Sequence, residues 1–469
     1  MPTNAGNQSY VAKMRAAGVA EPTIAAFLGA LQKVRTGDRG LLPEAALAPI
    51  ASLPKLADLE DRALATFAML RQLVVFKLNG GLGTSMGLDR TKSLIPVRGE
   101  DTFLDFTVRQ VLRLRRQTGS RCPAFYLMNS FSTRQETLAF LGKYPALADA
   151  EGVDFLQNMV PKVDPKTFEP VAWPAQPELE WCPPGHGDFY PALLGCGLLE
   201  RLLERGIKYA FISNSDNLGA NVDLKLLRYF VEADLPFLME VAARTPTDKK
   251  GGHLARRRAN GRLLLRESVQ CPAAEAAQFQ DIRQHCFFNT NNLWLRLDHL
   301  KAELHRHAGV LPLPLITNLK NVDPRDPASP KVLQLESAMG AAIECFAGAG
   351  AILVPRSRFA PVKATVDLLA LRSDAYRVTE DDRLELAPAR RGQPPLVDLD
   401  PQHYQVLASF ARFFPEAIPS LVECDSLKVT GPVQFAKGVV CQGTVEFLNP
   451  SPETKTVAAG IYRDRRVQL

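Results

Sequence analysis

Short β-rich segments alternate with helical segments from about residue 73 to about residue 370. The predicted strands cover 73–78, 124–129, 209–214 and 237–244, and the predicted helices cover 103–117, 134–143 and 193–206. Strands that alternate with helices along a chain are typical of βαβ units, in which neighbouring strands run parallel. The pattern therefore predicts an α/β fold with a mostly parallel sheet.

The segment that precedes this region is helical. Apolar residues between Tyr10 and Val34 recur at helical spacing and are interrupted by Gly18 and Pro22. This spacing predicts two short helices. We expect them to pack on the outside of the larger α/β domain.

The pattern changes again towards the C-terminus. A proline-rich segment at 388–399 ends the alternation, and the stretch 426–447 repeats short runs of apolar β-formers separated by Gly431, Gly438 and Gly443. Short strands with frequent tight turns suit either a coil of parallel strands or a small β-meander. The expected division is an N-terminal helical segment (1–60), the main α/β domain (61–385) and a C-terminal domain (386–469).

Composition and charge argue against several classes of protein. The 469 residues are 46% hydrophobic and 23% charged, which is ordinary for a soluble chain of two or three domains. The 56 basic residues are dispersed, whereas a nucleic-acid-binding surface concentrates them, so we expect no nucleic-acid partner. No run reaches the roughly 18 apolar residues of a membrane helix, and the N-terminus lacks the apolar core of a signal peptide. The eight cysteines form no CxxC pair. We therefore expect a cytoplasmic protein with reduced thiols and no membrane association.

A glycine-rich loop follows the first predicted strand, in the sequence VVFKLNGGLGTSMGLDRTKS at 74–93. Its glycines allow consecutive backbone N–H groups to approach a phosphate chain, and Lys92 can supply a point charge to that phosphate. From the loop alone, two interpretations stay open: a phosphate-binding site and a plain turn.

Two familiar phosphate loops fit this segment poorly. A Walker A loop places glycine directly before the lysine, and Thr91 occupies that position. A dinucleotide fingerprint aligned on Gly81 and Gly83 would put Met86 where a third small residue is required. Neither motif accounts for the loop.

Polar residues elsewhere fall where ligands bind in α/β proteins. Asp216 follows a predicted strand, where it could hold Mg²⁺ or cap the next helix. His186 is flanked by glycines in PPGHGD at 183–188, which favours contact with a substrate over a structural role. The amides of Asn289 and Asn292 suit sugar hydroxyls or the backbone. Glu240 lies inside an apolar strand, so it needs sugar hydroxyls or buried backbone amides as partners.

The loop and seven further motifs resemble, in order, the eukaryotic-type UTP–glucose-1-phosphate uridylyltransferase (UDP-glucose pyrophosphorylase) family. The further motifs are LMNSFST (127–133), WCPPGHGDFY (181–190), FISNSDNLGA (211–220), MEVAARTPTDKKGG (239–252), FFNTNNLW (287–294), QLESAMGAAI (334–343) and VPRSRFAPVK (354–363). They cover residues 70 to 375 densely and the C-terminal strands more loosely.

The resemblance implies a Rossmann-like mixed-sheet nucleotidyltransferase core, N-terminal helices and a small C-terminal left-handed parallel β-helix. It implies an Mg²⁺-dependent enzyme that transfers the uridylyl group of UTP to glucose 1-phosphate and releases pyrophosphate. Two alternatives stay open. One is a UDP-sugar or UDP-N-acetylhexosamine pyrophosphorylase of broader specificity, and the other is a non-catalytic UDP-sugar-binding scaffold.

The resemblance also assigns residues. Lys92 and Lys363 are the expected catalytic residues, and Asp216 is the expected metal ligand. The expected UTP-binding residues are Leu78, Asn79, Gly80, Gly81, Lys92, Gln157, Gly185, Asp216 and Lys363. The expected sugar-phosphate-binding residues are Gly80, Gly81, His186, Asn214, Ser215, Asp216, Glu240 and Asn292.

The chain departs from the family pattern in three places. Asn158 and Lys162 stand where serine and arginine are expected, which puts a bidentate contact in doubt. Cys182 replaces an aromatic residue. The segment 462–466 is charged where members that assemble end to end are hydrophobic, so we expect a monomer or at most a weak dimer.

Overall fold

The computed structural model of the chain describes residues 5–61, 63–149, 152–245, 248–249 and 251–469. The first four residues of the predicted N-terminal segment, and positions 246, 247 and 250 of the motif at 239–252, lie outside these ranges.

Within the described residues the helices are α1 (Ala5–Ala16), α2 (Glu21–Arg35), α3 (Ala63–Leu70), α4 (Phe103–Thr118), α5 (Arg134–Leu141), α6 (Phe189–Gly195), α7 (Leu198–Glu204), α8 (Leu224–Glu232), α9 (Ala276–Gln280), α10 (Leu297–Arg306), α11 (Thr365–Arg372), α12 (Pro401–Tyr404) and α13 (Leu407–Phe413). The strands are β1 (Leu47–Ala48), β2 (Leu73–Asn79), β3 (Pro96–Arg98), β4 (Asp101–Thr102), β5 (Ala124–Asn129), β6 (Asp154–Leu156), β7 (Val160–Pro161), β8 (Trp181–Cys182), β9 (Tyr209–Asn214), β10 (Phe237–Ala243), β11 (His253–Arg257), β12 (Leu263–Arg266), β13 (Phe287–Arg296), β14 (Ile316–Asn321), β15 (Lys331–Glu336), β16 (Gly350–Leu353), β17 (Tyr376–Val378), β18 (Leu384–Leu386), β19 (Leu396–Leu399), β20 (Ser420–Thr430), β21 (Val433–Phe435), β22 (Val439–Leu448), β23 (Lys455–Val457) and β24 (Gly460–Gln468).

A mixed sheet forms the centre of the molecule. Strands β6, β5, β2 and β9 lie side by side and run parallel. Strand β13 then pairs antiparallel with both β9 and β10, and β10 pairs parallel with β16. The expected mixed α/β core is confirmed, and the sheet is less uniformly parallel than the alternation of strands and helices alone predicts.

Both faces of the sheet are covered by helices, which explains why β2 is buried along its whole length. Val74 and Phe76 belong to the apolar core that contains residues of α6, α7 and α10. Leu73 and Val75 point to the other face and join residues of α3, α4 and α8. The strand therefore has a fixed register, and its carboxyl end is held in place.

One predicted helix is divided in two. The segment predicted as one helix at 193–206 forms the end of α6 and the whole of α7, with a break between Gly195 and Leu198. Gly197 adopts φ +68°, a left-handed conformation that an α-helix does not accommodate. The two N-terminal helices are found as α1 and α2, which contact each other and the main domain.

The C-terminal strands pair in parallel. Strands β19, β20, β22 and β24 form one parallel sheet, and β21 and β23 form a second parallel pair. Gly431 turns the chain with φ +78°, and a Cβ at this position would lie 2.0 Å from the carbonyl oxygen of Asn449. The ladders have the parallel direction of a coil of strands, so the alternative of an antiparallel meander is wrong.

None of the helices in the described part of the chain combines the length and apolarity that crossing a membrane requires.

We expect acid to destabilise the fold through buried histidines. His253 stacks on His285 at 3.9 Å between ring centroids. Burial, together with His285, Arg244 and Arg266, lowers the pKa of His253 to about 2. Because the unfolded chain then binds more protons below its ordinary histidine pKa of about 6.5, the free energy of unfolding falls as the pH drops below that value.

Between pH 7 and pH 5, the lowered pKa of His253 should decrease the free energy of unfolding by about 2 kcal/mol. Replacing His253 by phenylalanine should remove that part of the pH dependence, as measured by urea unfolding at the two pH values. The exposed His305 is the control, since His305→Asn should leave the dependence as in the wild type. An unchanged pH dependence in His253→Phe would show that this histidine does not carry the effect.

Candidate active site

The carboxyl ends of three neighbouring parallel strands meet at one edge of the sheet. Asn79 ends β2 and lies opposite Asn129 at the end of β5, and Leu78 lies opposite Asn214 at the end of β9. Ligands of open α/β sheets bind outside such an edge. The loops that follow β2, β5 and β9 therefore form the candidate site.

The glycine-rich loop lies close to Gln157. A Cβ at Gly80 would lie 2.6 Å from the Oε1 atom of Gln157, so only glycine fits there without displacing that amide. At Gly81, no heavy atom of the described residues other than its own and those of its chain neighbours lies within 4 Å of the corresponding Cβ position. The loop thus packs against the protein at Gly80 and has open space at Gly81, where a phosphate can approach the backbone.

Asn79, the last residue of β2, anchors the start of the loop through hydrogen bonds. Its buried Nδ2 donates to the Oδ1 of Asn129 at 2.8 Å and to the Oγ1 of Thr137 at 3.0 Å, and its carbonyl oxygen accepts from the Oγ1 of Thr133 at 2.8 Å. The side chain of Asn79 therefore fixes where the loop begins.

Lys92 and Asp216 form an ion pair within this site. The Lys92 Nζ lies 2.5 Å from the Asp216 Oδ2, and the two side chains are 15% and 17% exposed. The backbone N–H of Lys92 donates to the carbonyl oxygen of Gly81 at 3.2 Å. The lysine is thereby placed directly against the glycine loop, although 11 positions separate the two residues.

Lys363 is exposed beside this pair. Its backbone N–H donates to the Oδ2 of Asp367 at 2.7 Å, and its carbonyl oxygen accepts from the Oγ of Ser85 at 2.8 Å. The preceding residue, Val362, donates its N–H to the carbonyl oxygen of Asp216 at 3.4 Å. The backbone of Lys363 is therefore fixed near Asp216, and no hydrogen bond or ion pair within the described part of the chain engages its ammonium.

The carboxylate of Asp216 fits a magnesium ion that is held mainly by substrate phosphates. Its Oδ2 faces Lys92, and no hydrogen bond of the described residues engages its Oδ1. The described residues contain no cluster of three or more metal-ligating side chains. Mg²⁺ is commonly bound by one or two carboxylates together with phosphate oxygens and water, so a single carboxylate suffices.

The turn at PPGHGD presents a neutral histidine. Burial lowers the pKa of His186 to about 4. Its Nδ1 accepts the backbone N–H of Met339 at 2.9 Å, so in the neutral ring the proton is assigned to Nε2. His186 is therefore a hydrogen-bond donor at neutral pH. Gly185 has φ +78°, and its carbonyl oxygen accepts from the Nε2 of Gln157 at 2.9 Å, which joins this turn to the glycine loop.

Glu240 is held by side-chain donors of the protein. Its fully buried carboxylate accepts from Arg358 Nε at 2.7 Å, Arg358 Nη2 at 2.8 Å, Trp294 Nε1 at 2.9 Å and Asn292 Nδ2 at 3.2 Å. Guanidinium, indole and amide donors of the protein thus hold the carboxylate, whereas the sequence alone predicts sugar hydroxyls or backbone amides as its partners. The proposed sugar contacts of Glu240 and Asn292 stay predictions.

The remaining sugar-phosphate candidates lie at the same edge. The Oδ1 of Asn214 accepts from the Nδ2 of Asn291 at 2.9 Å, and the N–H of Ser215 donates to the carbonyl oxygen of Leu78 at 3.0 Å. Asn289 accepts the backbone N–H of Asn291 at 2.9 Å, which stabilises the positive φ of Asn291. Their proposed ligand contacts are untested predictions.

Comparison with known proteins decides the family. Residues 33–442 match the family model described as UTP–glucose-1-phosphate uridylyltransferase. The chain belongs to this uridylyltransferase family. Enzymes of that name from Solanum tuberosum and Saccharomyces cerevisiae are each 42% identical, over 83% and 80% of this chain and 80% and 74% of the relatives. A mutant UDP-glucose pyrophosphorylase from Leishmania major, solved in complex with UDP-glucose, is 46% identical with a TM-score of 0.93, covering 99% of this chain and 100% of that one.

Three residues that differ from the pattern of the uridylyltransferase family, Asn158, Lys162 and Cys182, have partners or surroundings within the protein. Lys162 is buried and donates to the carbonyl oxygen of Val322 at 2.9 Å. Asn158 donates from its side-chain Nδ2 to the Oδ2 of Asp188 at 3.1 Å, and from its backbone N–H to the same oxygen at 2.7 Å. Cys182 is buried, and burial raises the pKa of its thiol to about 12. These three side chains are engaged within the protein.

The sequence motifs do not single out two buried basic side chains near the site. Lys77 in β2 is fully buried, and burial lowers the pKa of its ammonium to about 7. Arg358 is buried against Glu240. A charged residue inside the apolar run LVVFKL was a visible signal for Lys77, and the motif VPRSRFAPVK contains Arg358 five positions before Lys363.

Proposed function

We propose that the protein transfers the uridylyl group of UTP to glucose 1-phosphate, giving UDP-glucose and pyrophosphate. The observation that carries this proposal is the Lys92–Asp216 pair against the glycine loop, in a chain of the uridylyltransferase family. A phosphate oxygen of the sugar phosphate attacks the α-phosphorus of UTP in line, the bond to the β-phosphate breaks, and pyrophosphate leaves. No covalent enzyme intermediate is required.

The main tasks of such a site are to hold two anions together and to fix their geometry. Lys92 and Lys363 supply positive charge to the reacting phosphates, and the backbone N–H groups at Gly80 and Gly81 bind the nucleotide. His186 donates a hydrogen bond from its Nε2–H to the sugar phosphate. Mg²⁺ at Asp216, when bound, neutralises phosphate charge and orients the pyrophosphate leaving group.

The assay that tests this proposal supplies UTP with a panel of sugar 1-phosphates and measures pyrophosphate release. We expect glucose 1-phosphate to give the highest kcat/KM. Comparable rates with many sugar phosphates would favour the broader UDP-sugar pyrophosphorylase, and no release with any of them would favour a non-catalytic scaffold. Retention of Lys92, Lys363 and Asp216 supports an active enzyme over a scaffold.

UTP should be strongly preferred to ATP and GTP. The Gln157 amide lies beside Gly80 and can pair with the edge of a pyrimidine, because an amide both donates and accepts. The measurement is kcat/KM for the three nucleotides with glucose 1-phosphate at fixed Mg²⁺. Equal activity with ATP would contradict a uracil-reading role for this region.

We also propose that the C-terminal domain is a left-handed parallel β-helix and that the protein is a cytoplasmic monomer or weak dimer. The parallel ladders of β20, β22 and β24 support the first point. On β24, Arg463, Arg465 and Arg466 are exposed, and two such edges placed together would bring like charges close. Light scattering after size-exclusion chromatography at micromolar concentration should give the mass of one chain, and a stable octamer would contradict the proposal.

A further inference from the structure

Two segments carry the charged groups of the proposed mechanism. The Asp216 segment (216–221) lies alongside the Lys363 segment (358–363). Val362 donates its N–H to the carbonyl oxygen of Asp216 at 3.4 Å, and Ala360 donates its N–H to the Oδ1 of Asn217 at 2.9 Å. A shift of either segment would therefore change the position of Lys363 relative to Asp216.

Two buried basic side chains, Lys77 and Arg358, hold the Asp216 segment from inside the protein. From β2, the Lys77 Nζ donates to the carbonyl oxygen of Ala220 at 2.6 Å. From the other segment, Arg358 donates through Nη1 and Nη2 to the side-chain and backbone oxygens of Asn221, both at 2.9 Å. Arg358 is itself fixed by its two hydrogen bonds to Glu240 in β10. The Asp216 segment is thus tied to two strands of the central sheet.

Lys77 stands where an apolar side chain would fit. It lies on the face of β2 from which Leu73 and Val75 enter the core, and its ammonium is near the ring of Phe211, 5.9 Å from the centroid. Burying an ammonium at such a position is unfavourable unless its hydrogen bonds compensate. Natural chains keep such unfavourable choices mainly at functional sites.

We propose that Lys77 and Arg358 are positioning residues that fix Asp216 relative to Lys363. The inference rests on the proposed function, since it assigns these residues to the geometry of that reaction. Neither residue needs to touch a substrate: each holds backbone or amide groups of the Asp216 segment. A displacement of about 1 Å in a reacting geometry can lower a rate by about 100-fold, so loss of either support should reduce kcat.

The test uses Lys77→Met and Arg358→Lys. Methionine fills the same space without a donor, and lysine keeps the positive charge but lacks the planar fork of arginine. For both variants we expect kcat to fall by about 10-fold to 100-fold, with KM for UTP changed by less than about 3-fold. The thermal midpoint of Lys77→Met should not fall, because the variant no longer buries a basic group that is charged and hydrated in the unfolded chain. A purely structural role would lower the midpoint and leave kcat unchanged.

The matched control is Arg115→Lys. Arg115 is also a buried arginine, and it donates to the carbonyl oxygens of Pro123 and Leu147 at 3.2 Å, outside both segments. We expect wild-type kcat for this control. An equal loss of kcat in the control would overturn the proposal, as would wild-type kcat in both Lys77→Met and Arg358→Lys.

Hydrogen exchange provides a readout that does not need activity. The backbone amides of Ala360 and Val362, which bond to the Asp216 segment, should exchange faster in Lys77→Met and Arg358→Lys than in the wild type or in Arg115→Lys. Unchanged exchange in both variants overturns the proposal. Absence of pyrophosphate release by the wild type would refute the proposed function, and the exchange rates would still decide whether the two basic side chains position the segment.

Discussion

Replacing Lys92 by alanine is expected to lower turnover on the order of 10²–10³-fold, the usual scale for the loss of one preorganised charge contact in an active site. Its ammonium lies against Asp216, and its backbone N–H donates to the carbonyl oxygen of Gly81, so it is fixed at the place that the proposed mechanism assigns to the phosphates of UTP. The measurement is kcat for pyrophosphate release at saturating UTP and glucose 1-phosphate.

The control for this substitution is Lys437→Ala, an exposed lysine of the C-terminal domain, which should keep wild-type kcat. Circular dichroism should show that Lys92→Ala is folded. Near-normal turnover in the folded variant would remove Lys92 from the mechanism.

Replacing Asp216 by asparagine should greatly reduce activity and raise the Mg²⁺ concentration that half-saturates it. Asparagine keeps the shape of the side chain but removes the negative charge that a hard cation requires from its protein ligand. The Mg²⁺ titration of activity should shift to higher concentration, by at least about 10-fold for the loss of roughly 1.4 kcal/mol of binding free energy.

Asp398→Asn provides the comparison, because Asp398 is an exposed carboxylate in the C-terminal domain. It should leave the Mg²⁺ titration unchanged. If Asp216→Asn gave the wild-type titration as well, this carboxylate would not be the metal ligand.

Much of the fold could be predicted because local patterns determine it. The apolar runs at 73–78, 124–129 and 209–214 are the parallel strands β2, β5 and β9, and the loops that follow them meet at the expected edge. The break at Gly197 was missed because the apolar spacing of a helix continues through it. The antiparallel pairing of β13 with β9 and β10 could not be predicted from the sequence either, because strand direction depends on pairing between distant segments.

Only part of the candidate site, too, could be predicted from the sequence. Sequence motifs brought Lys92, Asp216 and His186 into consideration, and the structure places Lys92 against Asp216. The partner of Glu240 could not be read from the sequence, because Arg358 lies 118 residues further along the chain. A buried carboxylate predicts that a partner exists but does not identify it.

The Lys92–Asp216 pair also affects how selectively this site attracts anions. With Asp216 beside it, the charge of Lys92 is already balanced, so an arriving phosphate must compete with a carboxylate instead of meeting an unpaired cation. Exchanging one anionic partner of the lysine for another gives little net free energy, and contacts beyond the lysine must supply the rest. A ligand that also reaches the glycine loop and brings Mg²⁺ to the released carboxylate gains those contacts, whereas inorganic phosphate does not. In the proposed mechanism, the ion pair would therefore favour a complex of UTP with Mg²⁺ over simple anions such as inorganic phosphate.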